Sequence, residues 1–120
     1  MDTQTLLFAG IPFLLLLVYY YRMFRNGKRQ KKTREMMRKN PQIIDVRTPA
    51  EFKQEHYPGA VNFPLKNLHK RLKKPGNANR PIVVYCKSGS RAKQAFRMFR
   101  AAGYTNVVNA GSIKNMPSSS

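Results

Sequence analysis

Residues 82–91 have the sequence IVVYCKSGSR and join a short apolar segment to the start of an amphipathic one. The first five residues are β-branched, aromatic or small and show no alternation with polar side chains. That pattern predicts a strand buried on both faces. Strands of this kind occur in parallel sheets that helices cover on both sides. The segment therefore predicts an α/β fold in which Cys86 lies at the carboxyl end of a strand.

Short apolar segments alternate with amphipathic ones on both sides of this stretch. Further strands are predicted at 43–46, 61–63 and 106–109, and helices at 50–55, 64–73 and 91–102, with a loop at 74–79. This alternation favours a parallel α/β sheet. In such sheets ligands bind beyond the carboxyl ends of the strands, which is where Cys86 falls.

The loop after Cys86 is suited to holding an anion. It consists of Lys87, Ser88, Gly89, Ser90 and Arg91. N–H groups in a tight glycine turn and at a helix N-terminus attract negative charge, and two cationic side chains add to it. These effects favour the thiolate over the thiol, so the loop predicts a reactive cysteine. A buried free cysteine that packs as a small apolar side chain is the alternative.

The N-terminal segment is predicted to cross a membrane. Residues 3–21 carry no charge, and as a helix they span about 28 Å, close to the roughly 30 Å of a bilayer core. This stretch ends in three tyrosines, and arginines follow it, as at a membrane interface. We expect a retained helix over 1–21 rather than a signal peptide, because no basic residue precedes the apolar run. A buried helix of a soluble protein is the other alternative.

The charge is strongly positive, +18 in 120 residues. Residues 22–39 hold nine basic residues and one acid, which predicts a basic juxtamembrane linker over 22–40 that either attracts anionic headgroups or is merely solvated. By the positive-inside rule the domain at 41–116 is expected in the cytoplasm, on a single-pass anchor. A disordered tail is expected at 117–120. No base-reading motif accompanies the charge, so nucleic acid is not an expected partner.

Four segments resemble single-domain rhodaneses in order and spacing. They are IDVRTPAEF at 44–52, HYPGAVNFPL at 56–65, VYCKSGSR at 84–91, and AGY at 102–104 followed by Val107. The resemblance implies a five-stranded parallel α/β sheet and a cysteine that cycles between thiolate and persulfide. It makes Cys86 the nucleophile and residues 87–91 its backbone cradle. It also makes Asp45 and Arg47 structural supports for the loops above the sheet.

Several other residues are assigned minor roles. Glu51 lies four residues after Arg47 and is spaced to pair with it. His56 is expected to serve packing and loop hydrogen bonds, with a general base as the weaker alternative, and His69 is expected to be exposed. The family commonly has Gly-Gly-Ile, a Trp and a closing helix at its end. Here the chain has Gly-Ser-Ile at 111–113 and Met116, so a shortened domain is expected.

The resemblance predicts sulfur transfer. Cys86 would take a sulfane sulfur from a small anionic donor such as thiosulfate and pass it to an external thiol or protein acceptor, because the sequence has no second cysteine. No metal or other cofactor is expected. A membrane-tethered persulfide carrier or docking module is the main alternative. Phosphatase or arsenate reductase chemistry is less favoured, because four residues separate Cys86 from Arg91 where that class has five.

Overall fold

The computed structural model describes residues 2–72 and 77–118 of the chain. The last predicted residue of the third helix, the first half of the loop after it and the end of the predicted tail lie outside the described residues. The elements, in chain order, are α1 (Thr3–Met37), β1 (Gln42–Asp45), α2 (Pro49–Gln54), β2 (Val61–Asn62), α3 (Leu65–Arg71), β3 (Ile82–Cys86), α4 (Ser90–Ala101), β4 (Val107–Ser112) and a 3₁₀ turn (Ile113–Asn115). Each predicted strand and helix of the domain is present, within a few residues of its expected ends.

The strands form one parallel sheet in the order β2-β1-β3-β4. The predicted α/β fold is confirmed, but the described residues supply four strands and not the five that the resemblance implies. The reason is that α1 continues to Met37 and leaves only a short turn before β1. In the part of the chain that the structure describes, β4 is therefore an edge strand.

All five residues of β3 are buried, as predicted from their unbroken apolar character. Alternate side chains of a strand point to opposite faces, so β3 contributes to two separate cores. Val84 and Cys86 belong to the core beneath α4, which also contains Ala92, Ala95 and Phe99. The core on the opposite face contains Val83 and Tyr85, together with Met36 from α1.

Helix α1 is continuous across the predicted boundary between anchor and linker. Thr33 and Met36 are buried against the domain, and the amide of Gln30 donates a hydrogen bond of 3.4 Å to Asn115. This differs from the linker expected at 22–40, since its last helical turns belong to the folded domain. Their Met and Thr side chains cover the apolar face of the sheet that α4 leaves open.

The N-terminal half of α1 has a different character. Its large apolar side chains from Leu6 to Phe24 are exposed, and no part of the apolar stretch is buried inside the chain. Length and composition make α1 able to cross a membrane: its most apolar 18-residue stretch has a mean hydropathy of 1.7. Because α1 projects beyond the domain, the molecule is elongated, 64 × 33 × 29 Å.

Candidate active site around Cys86

Cys86 ends strand β3, and its side chain is completely buried. Two backbone N–H groups donate hydrogen bonds to its Sγ, from Gly89 at 2.9 Å and from Ala92 at 3.3 Å. The first lies in the turn and the second in the first turn of α4, where N–H groups have no partner within the helix. Hydrogen bonds to the ionised form of a group favour that form. An anionic sulfur at this position would accept both of these hydrogen bonds.

The turn depends on the glycine at its centre. Gly89 has φ of 107°, in the left-handed region that residues with side chains rarely adopt. It precedes α4 as the N-cap residue, with an N–H directed at Sγ rather than a side chain capping the helix. The loop is also fixed from β4, because the Ser112 hydroxyl donates a 2.7 Å hydrogen bond to the carbonyl of Lys87. Rotation of the loop away from Sγ would break that bond.

Arg91 is held by Glu51 and not left free in the loop. Its guanidinium donates two hydrogen bonds to the carboxylate, at 2.7 and 3.0 Å. The expected pairing of Glu51 with Arg47 is therefore wrong. Glu51 is the N3 residue of α2 and completes its capping box, because its carboxylate accepts a hydrogen bond from the backbone N–H of Thr48. This placement directs the carboxylate towards α4.

The ion pair changes the pKa of both Glu51 and Arg91. Hydrogen bonds from Arg91 are the main reason that the pKa of Glu51 falls to about 2. The carboxylate in turn raises the pKa of Arg91. Arg91 thus keeps its charge near the cysteine, paired with the carboxylate of Glu51.

Asp45 and Arg47 form a buried ion pair at the end of β1. Arg47 donates to the carboxylate through its backbone N–H at 2.8 Å and through its guanidinium at 2.8–3.1 Å, and it also bonds the carbonyl of Glu55. These bonds raise the pKa of Arg47. The amide of Asn62 joins the carbonyls of both residues, each at 3.0 Å. Removing one partner of a buried pair typically costs about 3–5 kcal/mol.

Tyr85 lies beside this ion pair, with the guanidinium carbon of Arg47 5.8 Å from its ring centroid. Its hydroxyl oxygen accepts a 3.0 Å hydrogen bond from the backbone N–H of Tyr57. Burial is the main reason that its pKa rises to about 12, so the ring stays neutral. Asp45 and Arg47 touch neither Sγ nor its two N–H donors in any hydrogen bond of the described residues, and their supporting role stays a prediction.

The remaining predicted residues divide into two groups. The side chains of Lys87, Ser88 and Ser90 are exposed around the loop, and no hydrogen bond of the described residues joins them to Sγ. His56 is exposed, stacks on Phe52 with ring centroids 3.8 Å apart, and bonds the carbonyl of that residue. His69 is exposed, as expected.

Sequence reasoning missed three contributors to the site, namely Ala92, Asn62 and Ser112. Ala92 acts through its backbone, which no residue type reveals, although its place in the first helical turn was a usable signal. Ser112 is the strand partner of Cys86, and Asn62 ends β2, two strands from Cys86 in the sheet. Both are far from Cys86 in sequence. Within residues 2–72 and 77–118 no group of three or more His, Cys, Asp or Glu side chains is placed to hold a metal ion.

Comparison with known proteins agrees with this geometry. A model of the rhodanese-like domain matches residues 29–115. The chain belongs to the rhodanese-like family. The match begins within α1, which agrees with the packing of its last turns on the domain.

Two rhodanese relatives cover different lengths of the chain. Thiosulfate sulfurtransferase PspE of Escherichia coli is 40% identical over 74 residues, which are 61% of this chain and 71% of that protein. The uncharacterized protein YqhL of Bacillus subtilis is 31% identical over 112 residues, 91% of this chain and 87% of that one. A solved structure of rhodanese with anions from E. coli is 40% identical, covers 64% of this chain and 94% of its own, and superposes with a TM-score of 0.59.

The Glu51–Arg91 ion pair predicts a pH-dependent stability. Glu51→Gln keeps a capping-box residue but removes the charge, so we expect the free energy of unfolding to fall by about 0.5–1 kcal/mol at pH 7. The folded pKa of about 2 lies below the ordinary value of 4.5. The contribution is therefore present above about pH 4.5 and is lost as the pH falls through about 2.

Urea unfolding of the full chain in detergent at pH 7, 4 and 3 measures this difference. The matched control is Glu55→Gln, which removes an exposed carboxylate at the opposite end of the same helix. A gap between wild type and Glu51→Gln that stays constant or widens on acidification would contradict the assignment.

Proposed function

We propose that this chain is a sulfurtransferase that moves a sulfane sulfur from a small anionic donor to a thiol acceptor through a persulfide on Cys86. The observation that carries the proposal is the convergence of the Gly89 and Ala92 N–H groups on Sγ. These donors favour a thiolate before the reaction and an anionic sulfur after it. Sulfurtransferase relatives such as PspE support the same chemistry.

The reaction proceeds in two displacements. The Cys86 thiolate attacks the outer sulfur of thiosulfate, the bond between the two sulfur atoms of the donor breaks, and sulfite departs with the electron pair. The outer sulfur is then bound to Sγ as a persulfide anion. An acceptor thiolate attacks that sulfur, the Cys86 thiolate leaves, and the acceptor carries the persulfide. The exposed cation of Lys87 attracts the donor to the loop.

Phosphate or arsenate chemistry is less well supported. A tetrahedral oxyanion on a cysteine needs an arginine that is free to bind its oxygens in a bidentate manner. Here both terminal nitrogens of Arg91 bond Glu51. Only four residues separate Cys86 from Arg91, so the loop forms a smaller ring of N–H groups that suits one sulfur atom.

One observation favours a second candidate, a persulfide carrier whose partner completes the reaction. Cys86 is completely buried, so a donor or acceptor reaches Sγ only when covering atoms of the loop move. A partner protein that opens the loop would make transfer dependent on docking. The two candidates differ in whether small thiols alone support repeated turnover.

Mass spectrometry of the full chain treated with thiosulfate tests the sulfur chemistry. We expect one added sulfur atom on Cys86, its removal by a small dithiol, and repeated release of sulfite when donor and dithiol are both in excess. Cys86→Ser should gain no sulfur, whereas His69→Gln, at an exposed position on α3, should react as the wild type does.

Three other results have distinct meanings. A single stoichiometric loading without turnover would favour the carrier. Absence of any adduct with sulfane donors, together with hydrolysis of an aryl phosphate, would overturn the proposal. An adduct on a residue other than Cys86 would contradict the assignment of the nucleophile.

We also propose that the first 21 residues anchor the domain to a membrane, with the domain in the cytoplasm. The exposed apolar face of α1, the tyrosines at 19–21 and the basic residues that follow support this proposal. The expected partners are thus a small anionic donor, an external thiol and the membrane itself.

Alkaline extraction and a reporter enzyme fused after Ser120 test the anchor. The chain should stay in the membrane fraction at high pH, and the reporter should behave as cytoplasmic. Release into the soluble fraction would contradict the anchor. A reporter active only on the far side of the membrane would contradict the orientation.

A further inference from the structure

The chain reverses direction between α1 and the sheet. Helix α1 ends at Met37, the backbone turns through Asn40 with φ of 53°, and β1 begins at Gln42. Strand β1 therefore runs back alongside α1, towards its N-terminal half. The other strands are parallel to β1, so the carboxyl ends of all four strands point the same way. The edge of the sheet that holds Cys86 faces the apolar end of α1.

Side-chain contacts fix how far along α1 this edge lies. A Cβ added to Gly111, at the end of β4, would lie 3.0 Å from Nη1 of Arg29. A Cβ added to Gly89 would lie 3.8 Å from the Cα of Gly111, and the N–H of Gly89 is bonded to Sγ of Cys86. The turn that holds the cysteine therefore lies level with the side chain of Arg29. Met36, nearly two turns further along, packs instead against the middle of the sheet.

The distance from this level to the membrane follows from helix geometry. Arg29 lies eight positions after Tyr21, the last residue of the charge-free stretch, which is a rise of about 12 Å along the helix. The headgroup region outside the hydrocarbon core is about 5–7 Å deep on each side. On the proposed anchor, the Cys86 turn thus stands only about 5–7 Å above the outer limit of the headgroups.

Positive charge on one side of the domain favours this position close to the membrane. A cavity of about 410 Å³ lies along the open edge of β4, between α1 and α4, and six of its lining residues are cationic: Arg25, Lys28, Arg29, Lys32, Lys93 and Arg97. None of its lining residues is acidic. Anionic headgroups attract such a surface at short range. The cavity is lined by Val107 to Asn109, at the opposite end of β4 from Ser112, the strand partner of Cys86. Charge thus draws the domain towards the bilayer, while the direction of α1 sets the cysteine edge foremost.

We infer that the sulfur acceptor is a thiol held at the membrane surface, on a membrane-embedded protein whose cysteine lies just outside the headgroups. The inference rests on the proposed sulfur transfer and on the proposed anchor. Confinement of both partners to one thin layer raises their effective concentration, as linking two binding modules does. A thiol at headgroup height meets the Cys86 turn directly, whereas a bulky soluble protein must enter a gap narrower than a folded domain.

The test uses the full chain in phosphatidylcholine vesicles that contain a phospholipid with a thiol headgroup. After loading with thiosulfate and removal of the excess, sulfur transfer to the lipid thiol is compared with transfer to the same thiol headgroup free in solution at equal bulk concentration. We expect transfer to the lipid thiol to be at least about tenfold faster.

A change in height provides the decisive variant. Insertion of seven helix-forming neutral residues after Asn26 lengthens α1 by about 10 Å while keeping the helix nearly in phase. It should slow transfer to the lipid thiol by about tenfold and leave transfer to the soluble thiol unchanged. The same seven residues inserted after Ser118 are the matched control and should change neither rate.

The possible outcomes distinguish the inference from the proposed sulfur transfer and from the proposed anchor. Equal rates for the two thiols, or a lipid rate that the insertion after Asn26 does not lower, would overturn the inference while sulfur transfer stands. Failure of Cys86 to take up sulfur from thiosulfate would overturn the proposed sulfur chemistry itself. Loading without transfer to either thiol would overturn the inference and favour the carrier. Release of the wild-type chain from vesicles at high pH would overturn the anchor, and the inference with it.

Discussion

The architecture of the site depends on one constraint, the left-handed turn at Gly89 that brings two backbone N–H groups to the sulfur of Cys86. A residue with a side chain would adopt this conformation only with strain. The strand before the turn is buried on both faces, so the sulfur cannot move away from the turn. The helix after it supplies the second N–H from its first turn. Fold and chemistry meet at this one junction.

The elements around the junction keep its geometry fixed. Ser112 holds the loop from β4, Glu51 holds Arg91 from α2, and the buried pair of Asp45 and Arg47 closes the end of β1. The first two contacts join residues at the ends of different strands, and the third is local to the end of β1, so the sheet edge around the loop is fixed from several sides. The cost of the glycine turn is thus offset by bonds that form only when the whole sheet edge is assembled. The carboxyl edge of a parallel sheet is also the general position of ligand sites in such folds.

The sequence was sufficient to predict the helices and strands and the position of Cys86 at the end of β3. The unbroken apolar run of β3 and the apolar stripe of α4 are both visible in the order of the side chains. It was not sufficient for partners that the fold brings together. The partner of Glu51 is Arg91, forty residues away, and local spacing favoured Arg47 instead. The second N–H donor belongs to Ala92, whose side chain carries no signal. The last turns of α1 resemble a solvated linker in composition, and only the burial of Thr33 and Met36 shows that they belong to the domain.

The central claim is that the turn at Gly89 is a cradle for one sulfur atom. A crystal structure of the chain after treatment with thiosulfate tests it most directly. We expect density for a single additional atom bonded to Sγ of Cys86 and within hydrogen-bonding distance of N–H groups of the loop. Arg91 should still be paired with Glu51. An unmodified Cys86 beside a tetrahedral anion that has drawn Arg91 away from Glu51 would contradict it.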